Sequence, residues 1–98
     1  MDGEIDPATV AELCADDDPP HIVDIRTPAA FASGHIPDSL NIPLEELPNR
    51  VAELTDANRI VTVCPHGQAS VRAARLISSY EGTSDCRVES LAGGLTAW

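Results

Sequence analysis

Lysine is absent from this chain, and all six of its basic residues are arginines, set against 16 Asp and Glu. The formal net charge of −10 opposes binding to nucleic acid and to anionic membranes. It also imposes self-repulsion that concentrated salt would screen. Acid excess together with missing lysine resembles the composition of halophile proteins, so a salt-adapted chain is expected. Aromatics are equally scarce, with one Phe, one Tyr and one Trp, so the core must come from Val, Ile, Leu and Ala. No apolar run approaches the roughly 20 residues of a membrane-spanning helix. The acidic start, Met1-Asp2-Gly3-Glu4, lacks the apolar core of a signal peptide, and a cytoplasmic location is expected. Three widely spaced cysteines, Cys14, Cys64 and Cys86, make neither a disulfide framework nor a zinc pattern. Cys14 and Cys86 fall within apolar patterns and read as small core residues. No metal site and no cofactor are implied.

What remains is 98 residues, read as a single domain over residues 1–98 with one modest core. Its organising stretch is Ile60-Val61-Thr62-Val63-Cys64-Pro65-His66-Gly67-Gln68-Ala69-Ser70. A β-branched run ends in a thiol, a short turn follows, and a helical pattern begins. In open α/β sheets ligands sit outside the carboxyl ends of the strands. A loop that wraps back onto a helix N-terminus aims several N–H groups at one point, which favours an anion and hence a thiolate. Burial as inert packing is the ordinary alternative for any cysteine.

The other segments alternate helix and strand. Asp6-Pro7 is an N-cap followed by a first-turn proline, and Val10, Leu13 and Cys14 make a helical stripe that Asp16-Asp17-Asp18-Pro19-Pro20 ends. His21 to Ile25 reads as a buried strand, and Thr27-Pro28 as a second helix start with Phe31 facing inward. Asp24 and Arg26, two apart at the strand end, read as a structural salt bridge. Gly34 to Pro43 is a turn and a brief strand. Its His35 is a candidate general base that reads more simply as a hydrogen-bonding brace. Leu44 to Leu47 makes a helical turn, and Leu47, Val51 and Leu54 share one side of the next. After the cysteine loop, Ala73, Leu76, Ile77 and Tyr80 lie at i, i+3, i+4, i+7, the buried stripe of an amphipathic helix, which Gly82 is expected to stop. Cys86 to Leu91 reads as the last strand, Gly93-Gly94 as a turn, and Leu95 to Trp98 as a helix start. This alternation predicts an α/β fold, a mostly parallel sheet with helices on both faces.

Three stretches in this order resemble the signatures of the rhodanese-like, or sulfurtransferase, domain. They are Asp24-Ile25-Arg26-Thr27-Pro28 through Gly34-His35-Ile36-Pro37 to Asn41-Ile42-Pro43; Cys64-Pro65-His66-Gly67-Gln68-Ala69-Ser70, against a family loop that usually reads C-x-x-G-x-R-S; and Leu91-Ala92-Gly93-Gly94 with Trp98. The resemblance implies a five-stranded, mostly parallel sheet. It also implies that Cys64 carries a persulfide between a small sulfur donor such as thiosulfate and an acceptor: cyanide, a thiol, or a thiol-bearing protein of thioredoxin-like or sulfur-carrier type. Ala69 departs from the pattern where Arg is usual, Asp38-Ser39 replaces a common Gly-Ala, and the chain ends at Trp98, where relatives commonly run on.

Read as chemistry, Cys64 is the nucleophile, and the N–H groups from His66 to Ser70, among them Gly67, Gln68 and Ala69, form its cradle, since Pro65 has none. The missing loop Arg removes a bidentate fork for an oxyanion, so weak use of thiosulfate is expected. His66 and Arg72 are the candidate replacements. A phosphatase-type C-x5-R loop would need Arg where Ser70 stands. A catalytically silent binding or regulatory module is the alternative from another class.

Overall fold

The computed structural model describes residues 1–98. Five parallel strands form one sheet: β1 (Glu4–Ile5), β2 (His21–Asp24), β3 (Leu40–Asn41), β4 (Arg59–Val63) and β5 (Arg87–Leu91). Their spatial order is β1-β5-β4-β2-β3. Thr62 of β4 lies between Val23 of β2 and Ser90 of β5. Residue-level patterning marks four of these strands. β1 is two residues long, too short to show a period, and is held by pairing with Ser90 and Leu91.

Four helices connect the strands: α1 (Pro7–Cys14), α2 (Pro28–Ala32), α3 (Leu47–Arg50) and α4 (Ala69–Ser79). α1 and α2 open as their sequences require. Asp6 Oδ1 accepts from Thr9 N–H at 2.7 Å and Thr27 Oγ1 from Ala30 N–H at 3.3 Å, each just ahead of a first-turn proline. Period-2 alternation then divides the core into two layers. On one face Val10 of α1 packs with Ile5, Ile22, Ile36, Val61, Val63 and Leu91. On the other, Ala73, Ala74 and Ile77 of α4 pack with Val23, Ile25, Ile60, Val88 and Cys64, beside Leu47, Val51 and Leu54. Truncating a fully buried aliphatic here costs about 2–5 kcal/mol. β4 and β5 are also joined by the buried Glu89 carboxylate, which takes Arg59 Nε at 2.7 Å and Arg87 Nε at 3.3 Å. Two guanidiniums offset the desolvation of one carboxylate.

Several local expectations are corrected. Cys14 is exposed and Cys86 half-buried: Cys14 falls on the outer side of the last turn of α1, and Cys86 precedes β5. α4 ends at Ser79, not at Gly82. Tyr80 turns extended as its C-cap and leaves its ring exposed, while Gly82 sits in a separate tight turn, Glu81–Thr83. Phe31 is half-buried rather than inward, stacked on His35 with ring centroids 3.7 Å apart. The last segment, Gly94–Ala97, is a single 3₁₀ turn. Asp38 has φ of +65°, a left-handed conformation that Asp tolerates better than most residues.

Candidate active site

Cys64 follows the last residue of β4, at the carboxyl edge of the sheet, and alternation turns its side chain toward α4. The loop from Pro65 to Gln68 then wraps around the sulfur. Gly67 N–H reaches Sγ at 3.0 Å and Ser70 N–H at 3.3 Å, and Ser70 Oγ lies 3.2 Å away. α4 has no side-chain N-cap of its own, because Gln68 makes no capping bond. The sulfur takes that place, accepting from an orphan first-turn N–H as an N-cap oxygen does. Burial raises the thiol's pKa and is the largest single influence. The Ser70 hydroxyl and the amides of Ser70, Gly67 and His66 together outweigh it, so the net shift is downward, toward the thiolate. Cys14 and Cys86 shift the other way, first through partial desolvation of their thiols by the protein around them and then through the charges of Asp38 and Asp2.

The cradle is closed from behind by the Gly93-Gly94 turn. Leu95 N–H bonds the carbonyl of Cys64 at 2.9 Å and Thr96 N–H that of Pro65 at 3.1 Å. Gly67 takes φ of +84° and Gly94 φ of +65°. A Cβ on Gly94 would stand 2.6 Å from the amide nitrogens of His66 and Gly67. Thr62 adds a brace from below, donating from Oγ1 to the Ser70 carbonyl at 2.7 Å.

The rhodanese-like domain profile matches residues 6–98. The chain belongs to the rhodanese-like family. Among relatives of this family, a sulfurtransferase of Allochromatium vinosum is 38% identical over 99 residues, covering 100% of this chain and 89% of the relative. A thiosulfate sulfurtransferase, GlpE, of Pseudomonas syringae is 38% identical over 77 residues, covering 79% of this chain and 70% of the relative. The crystal structure of a thiosulfate sulfurtransferase from Pseudomonas aeruginosa superposes with a TM-score of 0.83 at 26% identity, over 100% of this chain and 18% of that longer one. A rhodanese-related protein from Thermoplasma volcanium gives 0.81 at 26% identity, over 97% and 88%.

Within this rhodanese-like site the residues singled out from sequence fall into three groups. Cys64, Gly67 and Ser70 converge on the sulfur, and the His66 amide joins them while its side chain is exposed. Gln68 is exposed and Ala69, half-buried, packs against the core below the loop. Arg72 lies one turn into α4 and lines a neighbouring groove of about 600 Å³ with Ile25, Thr27, Pro43, Leu44, Glu45 and Leu76. None of the ion pairs includes it. Asp24 and Arg26 are not brought to the sulfur. Asp24 points to the opposite face from its neighbours Val23 and Ile25, and Arg26 forks onto it at 2.8–3.1 Å and onto the Gly34 carbonyl at 2.7 Å. His35 Nδ1 meets the Phe31 carbonyl at 2.8 Å. Gly94, Thr62 and Ser90 contribute to the site without having been marked from sequence. The Gly-Gly pair was legible as a turn and as part of the third family-like stretch, but not as a wall of the site. Thr62 and Ser90 showed only as single hydroxyls within strands.

Proposed function

We propose that this protein is a sulfurtransferase that carries sulfane sulfur as a persulfide on Cys64. The observation that carries the reading is the convergence of amide N–H groups and the Ser70 hydroxyl on one sulfur at the carboxyl edge of a parallel sheet. The sulfurtransferase names of its relatives support the same class.

In the first step the Cys64 thiolate attacks the outer sulfur of a donor such as thiosulfate. A new S–S bond forms, and sulfite leaves with the electron pair of the old one. The terminal sulfur of Cys64–S–S⁻ is then attacked by an acceptor thiolate or cyanide, and the Cys64 thiolate is released. Both steps follow thiol–disulfide exchange, in which leaving-group and attacking pKa set the rate. The cradle serves both, because it stabilises the thiolate as nucleophile and as leaving group. Its donors are backbone groups and one buried hydroxyl held in place before reaction, so they need little reorganisation during it.

Ala69 leaves the cradle without a guanidinium, so a dianionic donor is held weakly. Arg72 is the nearest uncommitted cation along α4, and helical side chains lean toward the N-terminus, which directs it back toward the loop. The apolar groove beside it offers the acceptor a floor of Ile25, Pro43, Leu44 and Leu76. Intact-mass measurement after incubation with thiosulfate tests the reading. One added sulfur atom is expected on the wild type and none on Cys64→Ala. Absence of an adduct with thiosulfate and with a polysulfide donor, at low and at high salt, would refute transfer and favour a binding module.

A further inference from the structure

Ser90 is fully buried in β5, facing α4 beside Val88, in a mostly aliphatic layer that also holds Thr62, Cys64 and Ser70. A hydroxyl there is costly unless hydrogen-bonded. Its Oγ makes one side-chain contact, with Ser70 Oγ at 2.7 Å, and Ser70, also fully buried, continues to Cys64 Sγ at 3.2 Å. The three groups thus form a chain with two contacts. With Cys64 as thiolate the chain holds two protons for those two contacts: Ser90 donates to Ser70, and Ser70 donates to sulfur. With Cys64 as thiol it holds three protons, and one is left buried without an acceptor, a costly state. Without Ser90, the Ser70 hydroxyl is free to rotate onto a carbonyl three or four residues earlier, in the loop, as helical serines do.

We propose that Ser90 is a positioning residue: it occupies a lone pair of Ser70 so that the single Ser70 hydroxyl proton points at the Cys64 sulfur. It touches neither donor nor acceptor and acts through Ser70. The inference rests on Cys64 working as a thiolate, which is also the basis of the sulfurtransferase reading, but it is tested without any sulfur donor. The test is the pH profile of Cys64 alkylation by iodoacetamide, followed on the Cys64 peptide by mass spectrometry, with melting curves as a check on folding.

Ser90→Ala should melt close to the wild type. It should alkylate about 3- to 10-fold more slowly at pH values below the wild-type midpoint, and at the same rate where the thiolate is fully formed, the effect of losing one oriented hydrogen bond to an anion. Ser90→Thr, which keeps the hydroxyl, should restore the profile, and Ser90→Val, of the same volume, should not. The Thr/Val pair carries the test by itself if Ser90→Ala does not fold. A Ser90→Ala profile that superposes on the wild type would overturn the proposal. So would one slowed equally at every pH, because that marks a displaced loop rather than a weaker hold on the anion. If the profile shifts as expected while Cys64 accepts no sulfur from any donor, the sulfurtransferase reading fails and the role of Ser90 stands.

Discussion

A methyl group placed on Gly94 should disable the cradle without touching the thiol. At φ of +65° an alanine pays roughly 1–2 kcal/mol of left-handed strain. Its Cβ would also stand 2.6 Å from the His66 and Gly67 nitrogens. Both are backbone atoms, so no rotamer relieves the contact. Reaching an ordinary separation of about 3.5 Å requires the loop or the turn to shift by nearly 1 Å, and Gly67 N–H is one of the donors on Sγ. A displacement of that size costs about a hundredfold in rate, and overpacking adds about 1–3 kcal/mol of lost stability. Gly93→Ala is the matched control. Its φ is +73°, nearly the same strain, but its Cβ meets only the Ala97 methyl, at 2.8 Å, in the exposed final turn. Urea melts should show both variants destabilised, Gly94→Ala more. Single-turnover loading of Cys64, followed by intact mass, should fall about a hundredfold in Gly94→Ala and by less than threefold in Gly93→Ala. A Gly94→Ala protein that loads sulfur at the wild-type rate would show that the backbone of the loop does not hold the reacting anion.

Three further outcomes follow from the same geometry. Ala69→Arg should raise kcat/KM for thiosulfate by about tenfold by restoring a guanidinium at the loop; unchanged kinetics would mean that another group already supplies the charge. Across a pH series Cys64 should alkylate with a midpoint below those of Cys14 and Cys86, because its pKa is lowered and theirs are raised. A lowered pKa keeps the thiolate present at lower pH, so Cys64 is the cysteine that retains reactivity as pH falls, and the reverse order would contradict the cradle. The melting temperature should rise by roughly 5–10 °C between about 0.1 M and about 2 M KCl as salt screens a chain at −10. A flat dependence would remove the case for salt adaptation.

How far the primary structure reaches differs from element to element. Caps such as Asp6 and Thr27, the prolines after them and the β-branched run into Cys64 act over three or four residues. They therefore determined helix starts, strand positions and the place of the thiol without reference to the rest of the chain. The same holds for the net charge. The α4 stripe was read correctly through Ile77 and failed at Tyr80, because period alone does not say where a helix ends. The extended turn at Tyr80 is held by Thr83 and Ile77. Burial of Cys14 and Cys86 failed for a related reason: apolar neighbours in sequence do not establish what covers a side chain.

The sequence by itself determined an alternating α/β chain with a cysteine at a strand end and no arginine in its loop. Only the tertiary structure decided which distant groups meet that sulfur. Strand order places β5 against β4, which brings Ser90 to Ser70 across 20 positions and seats the Gly94 turn behind the loop. Neighbourhood in a parallel sheet depends on crossovers through the whole fold, and no local pattern of residues encodes it.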